Sequence, residues 1–310
     1  MGRGFTQEYG KNYEDTYSQI ARSETWRILL TLAIQNKWHV RQWDVVAVYL
    51  NAPLTHEVYV KDGEECWRLH KALYGLKQAG HECYNTLRDI MKKSGLQQSI
   101  GDLGVFCKKG KEREPAIMIA THVDDMAVFT PKETTIQEAK TAIGQHVELK
   151  KLGQPTKLLG MELSWETKYI KLTQKGAIEN LAKEFEIPKT VLPTTSLTLN
   201  PNDYAETQKE STPEIQKKYQ SLVGSLLYIA RHTRLEITLH TNLLGRCTPH
   251  ATPNNLKTGI QILRYLVSSS EDGIKLKENK DQIPGENIII KGYADASYGG
   301  KKGNPSLEAW

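Results

Sequence analysis

The sequence predicts an α+β fold built on a split β-α-β sheet of the ferredoxin-like type, and three observations carry that expectation. Apolar stretches rich in β-branched residues alternate with stretches whose apolar residues recur at helical spacing. Their order is strand, helix, hairpin, helix, strand, which matches the split β-α-β pattern. At 310 residues, with 39% hydrophobic and 25% charged, the chain has a globular composition and length enough for two or three domains.

Ser23 and Glu24 precede Trp26, Leu29, Leu30 and Ala33 at helical spacing, predicting a helix over 23–35. Residues 38–43 then read as a strand ending at Asp44. Asn51, Ala52 and Pro53 turn the chain, and 58–60 is short and β-like. Leu73, Leu76, Tyr84, Leu87 and Met91 give 72–91 helical periodicity. Residues 117–130 are too β-branched for an easy helix; their two apolar halves meet at Val123 and Asp124, which predicts a tight hairpin with the acidic pair at its tip. Thr135 is placed to cap a helix carrying Ile136, Ala139 and Ile143, and 158–163 resumes as a strand.

In that topology the end of the first strand and the tip of the central hairpin lie on one rim, so Asp44 and Asp124 converge, with Asp125 beside them. Taken singly, each has an ordinary reading as a turn former or a strand-end cap. Together, three carboxylates can hold two divalent metal ions, a site suited to phosphoryl transfer more than to proton transfer. Such a cluster without a cation would repel itself and gain protons.

Other features narrow the possibilities. No apolar run reaches the roughly 18 residues needed to span a bilayer, and the opening residues lack the apolar core of a signal peptide, so an unsecreted protein with no membrane partner is expected. Cys66, Cys83, Cys107 and Cys247 form no C-x-x-C pair, which fits a reducing compartment. Cys66, His70, His81 and Cys83 do not have the spacing of a zinc finger. The net charge of +5 favours a polyanionic partner without demanding one, and the runs KKGKEREP and KKGNP read as solvated turns.

The ordered motifs RGFTQEYGKNYEDTYSQIARSETWRILLTLAIQ, WDVVAVYLNAPLTHEVYV, LHKALYGLKQAG, THVDD, KKLGQPTKLLGMEL, LTQKGAIENLAKEF, YQSLVGSLLYIARHTRLEI and ILRYL resemble, over nearly the whole chain, the reverse transcriptase of Ty1/copia LTR retrotransposons. The resemblance implies a right-hand polymerase fold: partial fingers and a ferredoxin-like palm over 1–165, a helical thumb and connection over 166–284, and the truncated start of an RNase H domain over 285–310. It implies RNA-directed DNA synthesis by two-metal phosphoryl transfer. Asp44 and Asp124 would hold two Mg²⁺ ions, for which Mn²⁺ can substitute, with Asp125 as a supporting carboxylate. Val45 would lend a backbone carbonyl, and Tyr49 would lie under the incoming sugar, where its ring can exclude a ribose 2′-hydroxyl; plain strand core is the other reading of Tyr49. Tyr74 and Gly75 would lie against the nucleotide, Gly75 allowing close backbone approach. Lys77 would contact template phosphate or cover a helix face. His122, beside the aspartates, would pack, donate a hydrogen bond or act as an acid. Asp295, in IIIKGYADASYGG, matches the first RNase H carboxylate. The implied partners are an RNA template, a DNA primer, their RNA/DNA duplex and deoxynucleoside triphosphates, in an intracellular setting such as a cytoplasmic particle or the nucleus.

The chain also departs from that family. Its triphosphate-gripping Lys and Arg lie just upstream of the matching segment, which here opens at Met1, Gly2 and Arg3. His122 replaces the usual Tyr, and Val46 and Val48 stand where a Lys and an Ala are common. Gly80, His81, Glu82 and Cys83 replace Pro-Arg-Ala-Trp, while Leu235 and Glu236 replace Pro-Asp. The expectation is therefore a polyprotein fragment that is either a working polymerase or a decayed copy surviving as a non-catalytic nucleic-acid-binding remnant. A nucleotidyl cyclase is disfavoured, since a cyclase has no need of the LYGLKQA segment or a duplex-holding second half.

Overall fold

The computed structural model describes residues 2–110, 115–188, 211–279 and 281. Helix α1 (Ser23–Asn36) buries Trp26, Leu29, Leu30 and Ala33 on one face, as its spacing predicts, and ends at Lys37 in the left-handed region with φ 56°. Its first turn is capped from elsewhere in the chain: Asp102 accepts hydrogen bonds from the Arg22 amide (2.9 Å) and the Thr25 hydroxyl (2.5 Å). Strand β1 (His39–Val45) follows, then the single turn α2 (Val48–Asn51), and β2 (Pro53–Asp62) pairs with β3 (Glu65–Lys71) as a separate ribbon. Residues 58–60 are thus the middle of a longer strand.

Helix α3 (Ala79–Lys93), β4 (Gln97–Gln98), β5 (Val105–Lys109), β6 (Pro115–His122), β7 (Asp125–Thr130), α4 (Glu133–Gly144) and β8 (Leu149–Gly153) complete a six-stranded sheet of order β4-β5-β6-β7-β1-β8. Within it, β6-β7-β1-β8 has the strand order of a split β-α-β unit, with α3 and α4 in the crossovers. Both faces are covered. Trp43, Val45, Met126 and Val128 pack with Leu87, Met91, Ile136 and Ile143, while Val40, Ala127 and Phe129 pack with α1 and a second sheet.

That second sheet holds β9 (Lys157–Leu158), β10 (Met161–Trp165), β11 (Tyr169–Thr173) and β12 (Ile274–Lys277) in the order β12-β11-β10-β9. Helices α5 (Lys175–Glu184), α6 (Pro213–His232), α7 (Thr238–Arg246) and α8 (Pro253–Ser268) share a third core around Tyr219, Leu226, Ile262 and Leu263. Arg234 is buried against it, held by Glu236 (2.6 Å) and by the Ser269 carbonyl and hydroxyl.

Three sequence expectations need correction. The helix expected over 72–91 begins only at Ala79, because 72–78 is a series of turns with Gly75 at φ 96°. Thr135 lies inside α4; the boundary residue is Lys132, whose amide donates to the Thr130 hydroxyl oxygen across Pro131 (3.2 Å). The expected strand over 158–163 is broken at Leu159 and Gly160, both at positive φ (50° and 76°), and it belongs to the second sheet. The fourth strand of the split β-α-β unit is β8 instead, a mostly exposed edge strand whose LKKLG sequence shows no apolar alternation. Residues through Glu278 form one compact unit. The RNase H-like stretch over 285–310, with Asp295, lies outside the described residues.

Candidate active site

Asp44 is the penultimate residue of β1, and Asp125 opens β7 directly opposite it in the antiparallel register. Cross-strand partners share a face, so the sheet sets these two carboxyls side by side. The β6–β7 hairpin has a two-residue loop, Val123 and Asp124, between the paired residues His122 and Asp125. Val123 sits at φ 59°, a conformation that costs a β-branched residue, and the Val45 amide fixes the loop by donating to the Asp124 carbonyl at 3.0 Å. Strain of this kind accumulates where the surrounding structure over-determines a loop, which makes it a pointer to function.

The electrostatics are those of crowded like charges. Burial, then Asp124 and Asp125, push the Asp44 carboxyl above the usual carboxylate range, with Lys150 pulling the other way. Gln42 donates to Asp125 at 3.1 Å. Burial, followed by the charge of Asp124, pushes the Cys83 thiol up to about 12, so it is inert as a nucleophile. Carboxylate oxygens on one rim are the donor set a hard divalent cation takes, and a cation would relieve the strain on Asp44. Among the described residues no group of three or more His, Cys, Asp or Glu is arranged to hold a metal ion.

The other residues singled out from the sequence fall around this rim. Tyr49 is on α2, not in a strand, and packs edge-on against Tyr74 with ring centroids 4.6 Å apart. Burial, then Cys83, Asp124 and Tyr74, raise the Tyr49 hydroxyl above its ordinary range. The Val45 side chain is buried in the core. The Gly75 carbonyl accepts from the Gly4 amide at 3.0 Å, and it is Gly4 that makes room for this contact, since a Cβ there would lie 2.1 Å from that oxygen. Lys77 neither lies on a helix nor stands free. Its ammonium donates to the Gln7 carbonyl and the Tyr13 hydroxyl, each at 3.2 Å, and sits 5.0 Å from the Tyr13 ring centroid, clamping the N-terminal segment.

His122, Val123, Asp124 and Asp125 line a cleft of about 1050 Å³ together with Tyr49 and Tyr74. Tyr17, Ile20 and Arg22 form one side, and Leu159, Gly160, Tyr228, Arg231 and His232 form another. His122 is half-buried and faces the cleft rather than the core. The wall built from α6 was not apparent in the sequence, because the bond that seats it, from Tyr228 to the Leu159 carbonyl (2.8 Å), is long-range. No local pattern reports that contact.

Comparison with known proteins identifies the family. Residues 1–198 match the family model described as Reverse transcriptase (RNA-dependent DNA polymerase). The chain is 29% identical over 320 residues to the retrovirus-related Pol polyprotein from transposon RE1 of Arabidopsis thaliana, covering 97% of this chain and 20% of that protein. It is 27% identical over 314 residues to the corresponding polyprotein from transposon TNT 1-94 of Nicotiana tabacum, covering 96% and 23%. With the transposon Ty1-DR5 Gag-Pol polyprotein of Saccharomyces cerevisiae the identity is 23% over 313 residues, covering 93% and 17%. The chain thus spans about a fifth of the length of the polyproteins it matches. Extended similarity to three retrotransposon polyproteins, with a family match over 1–198, establishes that the chain belongs to the reverse transcriptase (RNA-dependent DNA polymerase) family of Ty1/copia-type retrotransposons.

Proposed function

We propose that this chain is an RNA-directed DNA polymerase that extends a DNA primer on an RNA template by phosphoryl transfer from deoxynucleoside triphosphates, with the reaction centred on Asp44, Asp124 and Asp125. The observation that carries this reading is the cross-strand pairing of Asp44 with Asp125 next to the strained loop that holds Asp124, with Asp124 and Asp125 lining a large cleft. Reverse transcriptases generally use divalent metal ions. Two Mg²⁺ ions held by Asp44 and Asp124, with Asp125 in support, would lower the pKa of the primer 3′-hydroxyl and neutralise charge on the triphosphate.

The chain's own groups have separate tasks in this reading. The Tyr49–Tyr74 pair forms a rigid floor against which a deoxyribose packs and a ribose 2′-hydroxyl clashes. The six-stranded sheet acts as palm, the N-terminal segment and the β2–β3 ribbon as fingers, and the helices α6 to α8 as thumb, gripping duplex through its phosphates. Among the described residues no helix is long and apolar enough to cross a membrane. A cytoplasmic particle is the setting this reading favours.

The test is Mg²⁺-dependent extension of a DNA primer on an RNA template, run beside the Asp124→Asn variant and a duplex-binding assay. Extension by the parent chain that is lost in the variant supports the polymerase. Duplex binding with no extension in either protein identifies a non-catalytic remnant.

A further inference from the structure

Strand β8 pairs with β1 on the side opposite β7, and its register sets Lys150 against Asp44. Reading straight across four strands gives His122, Asp125, Asp44 and Lys150, a row in which each member is the direct partner of the next. Partners in register point to the same face of a sheet. The neighbouring residue provides an independent check: Lys151 pairs with the core-facing Trp43 and donates to Gln137 of α4 at 3.4 Å, so the alternation of the strand turns Lys150 to the Asp44 face.

We propose that Lys150 is a positioning residue of the carboxylate rim, whose ammonium serves as a stand-in cation beside Asp44 and is displaced when a divalent ion binds there. The second half of this statement rests on the metal reading given above; the first half does not. Three features support it. Asp44 stands in register between Asp125 and Lys150, with Asp124 in the adjoining loop, so Lys150 brings an ammonium to a row that carries two carboxylates. Lys150 is exposed on an edge strand, so its long stem can swing away without disturbing the core. A cation and an ammonium competing for one carboxylate repel each other, so Lys150 tunes how tightly the rim takes a metal.

The experiment uses the full chain and two readouts. Thermal unfolding in EDTA is measured for the parent chain, Lys150→Met, Asp44→Asn, the double variant and Lys150→Arg, and Mn²⁺ binding is followed by electron paramagnetic resonance. The expected result is that Lys150→Met lowers Tm by roughly 2 °C when Asp44 is present and not when it is Asn. The same variant binds Mn²⁺ roughly two- to fivefold more tightly than the parent chain, whereas Lys150→Arg matches the parent in both respects. A purely structural lysine would weaken binding on removal, not strengthen it. An equal Tm change in both Asp44 backgrounds, or unchanged or weaker Mn²⁺ binding in Lys150→Met, overturns the proposal. If the parent chain and Asp44→Asn bind Mn²⁺ equally poorly, the metal reading of the rim fails and takes the displacement with it, while the unfolding cycle still decides whether Lys150 supports Asp44.

Discussion

The hydroxyl of Tyr228, on α6, donates a 2.8 Å hydrogen bond to the Leu159 carbonyl at the tip of the β9–β10 hairpin. Leu159 and Gly160 both adopt positive φ there, and a Cβ on Gly160 would lie 2.0 Å from the Tyr228 oxygen. Glycine is required twice over, by backbone conformation and by the ring above it. The ring also packs on His232, with centroids 4.6 Å apart, and Arg231 reaches Glu24 of α1 at 3.8 Å. One face of α6 is thereby seated on the rim side of the cleft.

This contact predicts a non-additive pair. Tyr228→Phe removes one hydrogen bond and costs about 1 kcal/mol, whereas Gly160→Ala costs more because strain and overlap add. In the Tyr228→Phe background the alanine loses its worst clash, so the double variant is more stable than the sum of the single effects. Chemical denaturation of the four proteins measures the coupling; strict additivity would show that the two residues do not meet.

Asp102 predicts a pH dependence. Burial alone would raise its carboxyl, but hydrogen bonds from the Thr25 hydroxyl and the Arg22 and Gly104 amides, with the charge of Arg22, hold it below the usual carboxylate range. The native state therefore binds fewer protons than the unfolded chain just below pH ~3.9. The resulting stability is fully present above that pH and is lost as pH falls through the lowered value. Asp102→Asn is expected to lower stability by about 2 kcal/mol at neutral pH, and the gap from the parent chain should narrow steadily on acidification. A gap independent of pH would assign its effect to packing rather than charge.

Asp44 predicts the opposite sign. Its charge is disfavoured by burial and by two neighbouring carboxylates, so Asp44→Asn should stabilise the metal-free chain at neutral pH, by about 1 kcal/mol. Mg²⁺ should raise the Tm of the parent chain and leave that of the variant unchanged. Calorimetry in EDTA and in Mg²⁺ checks both halves. A less stable variant in EDTA would mean that Asp44 is held by contacts stronger than the repulsion.

The parts of this fold legible in the sequence are those where one face is buried and the other is not. Helix α1 and the alternation of Trp43 and Val45 against Asp44 carry that signal, and the three aspartates stand out because charge interrupts apolar strands. Strand β8 carries no such signal because solvent reaches most of it, so Lys150 was not apparent as a neighbour of Asp44. Leu159 at positive φ defies its own preference and reads as strand until the pairing of β9 with β10 is known. Lys77 was ambiguous for a different reason: its partners Gln7 and Tyr13 lie more than sixty residues away in sequence, and only the folded chain brings them together.

The central claim is that chemistry occurs at the rim where Asp44 meets Asp125, and single-nucleotide incorporation under single-turnover conditions tests it most directly. A DNA primer on an RNA template, one deoxynucleoside triphosphate and Mg²⁺ are used with the parent chain, Asp124→Asn, and Asp102→Asn as a control distant in role. The account predicts incorporation by the parent chain, a loss of about a thousandfold or more in Asp124→Asn with primer–template binding preserved, and a rate within a few fold of the parent in Asp102→Asn at a temperature where it is folded. Incorporation that persists in Asp124→Asn would contradict the account, because the rim would then not be where the phosphoryl group is transferred.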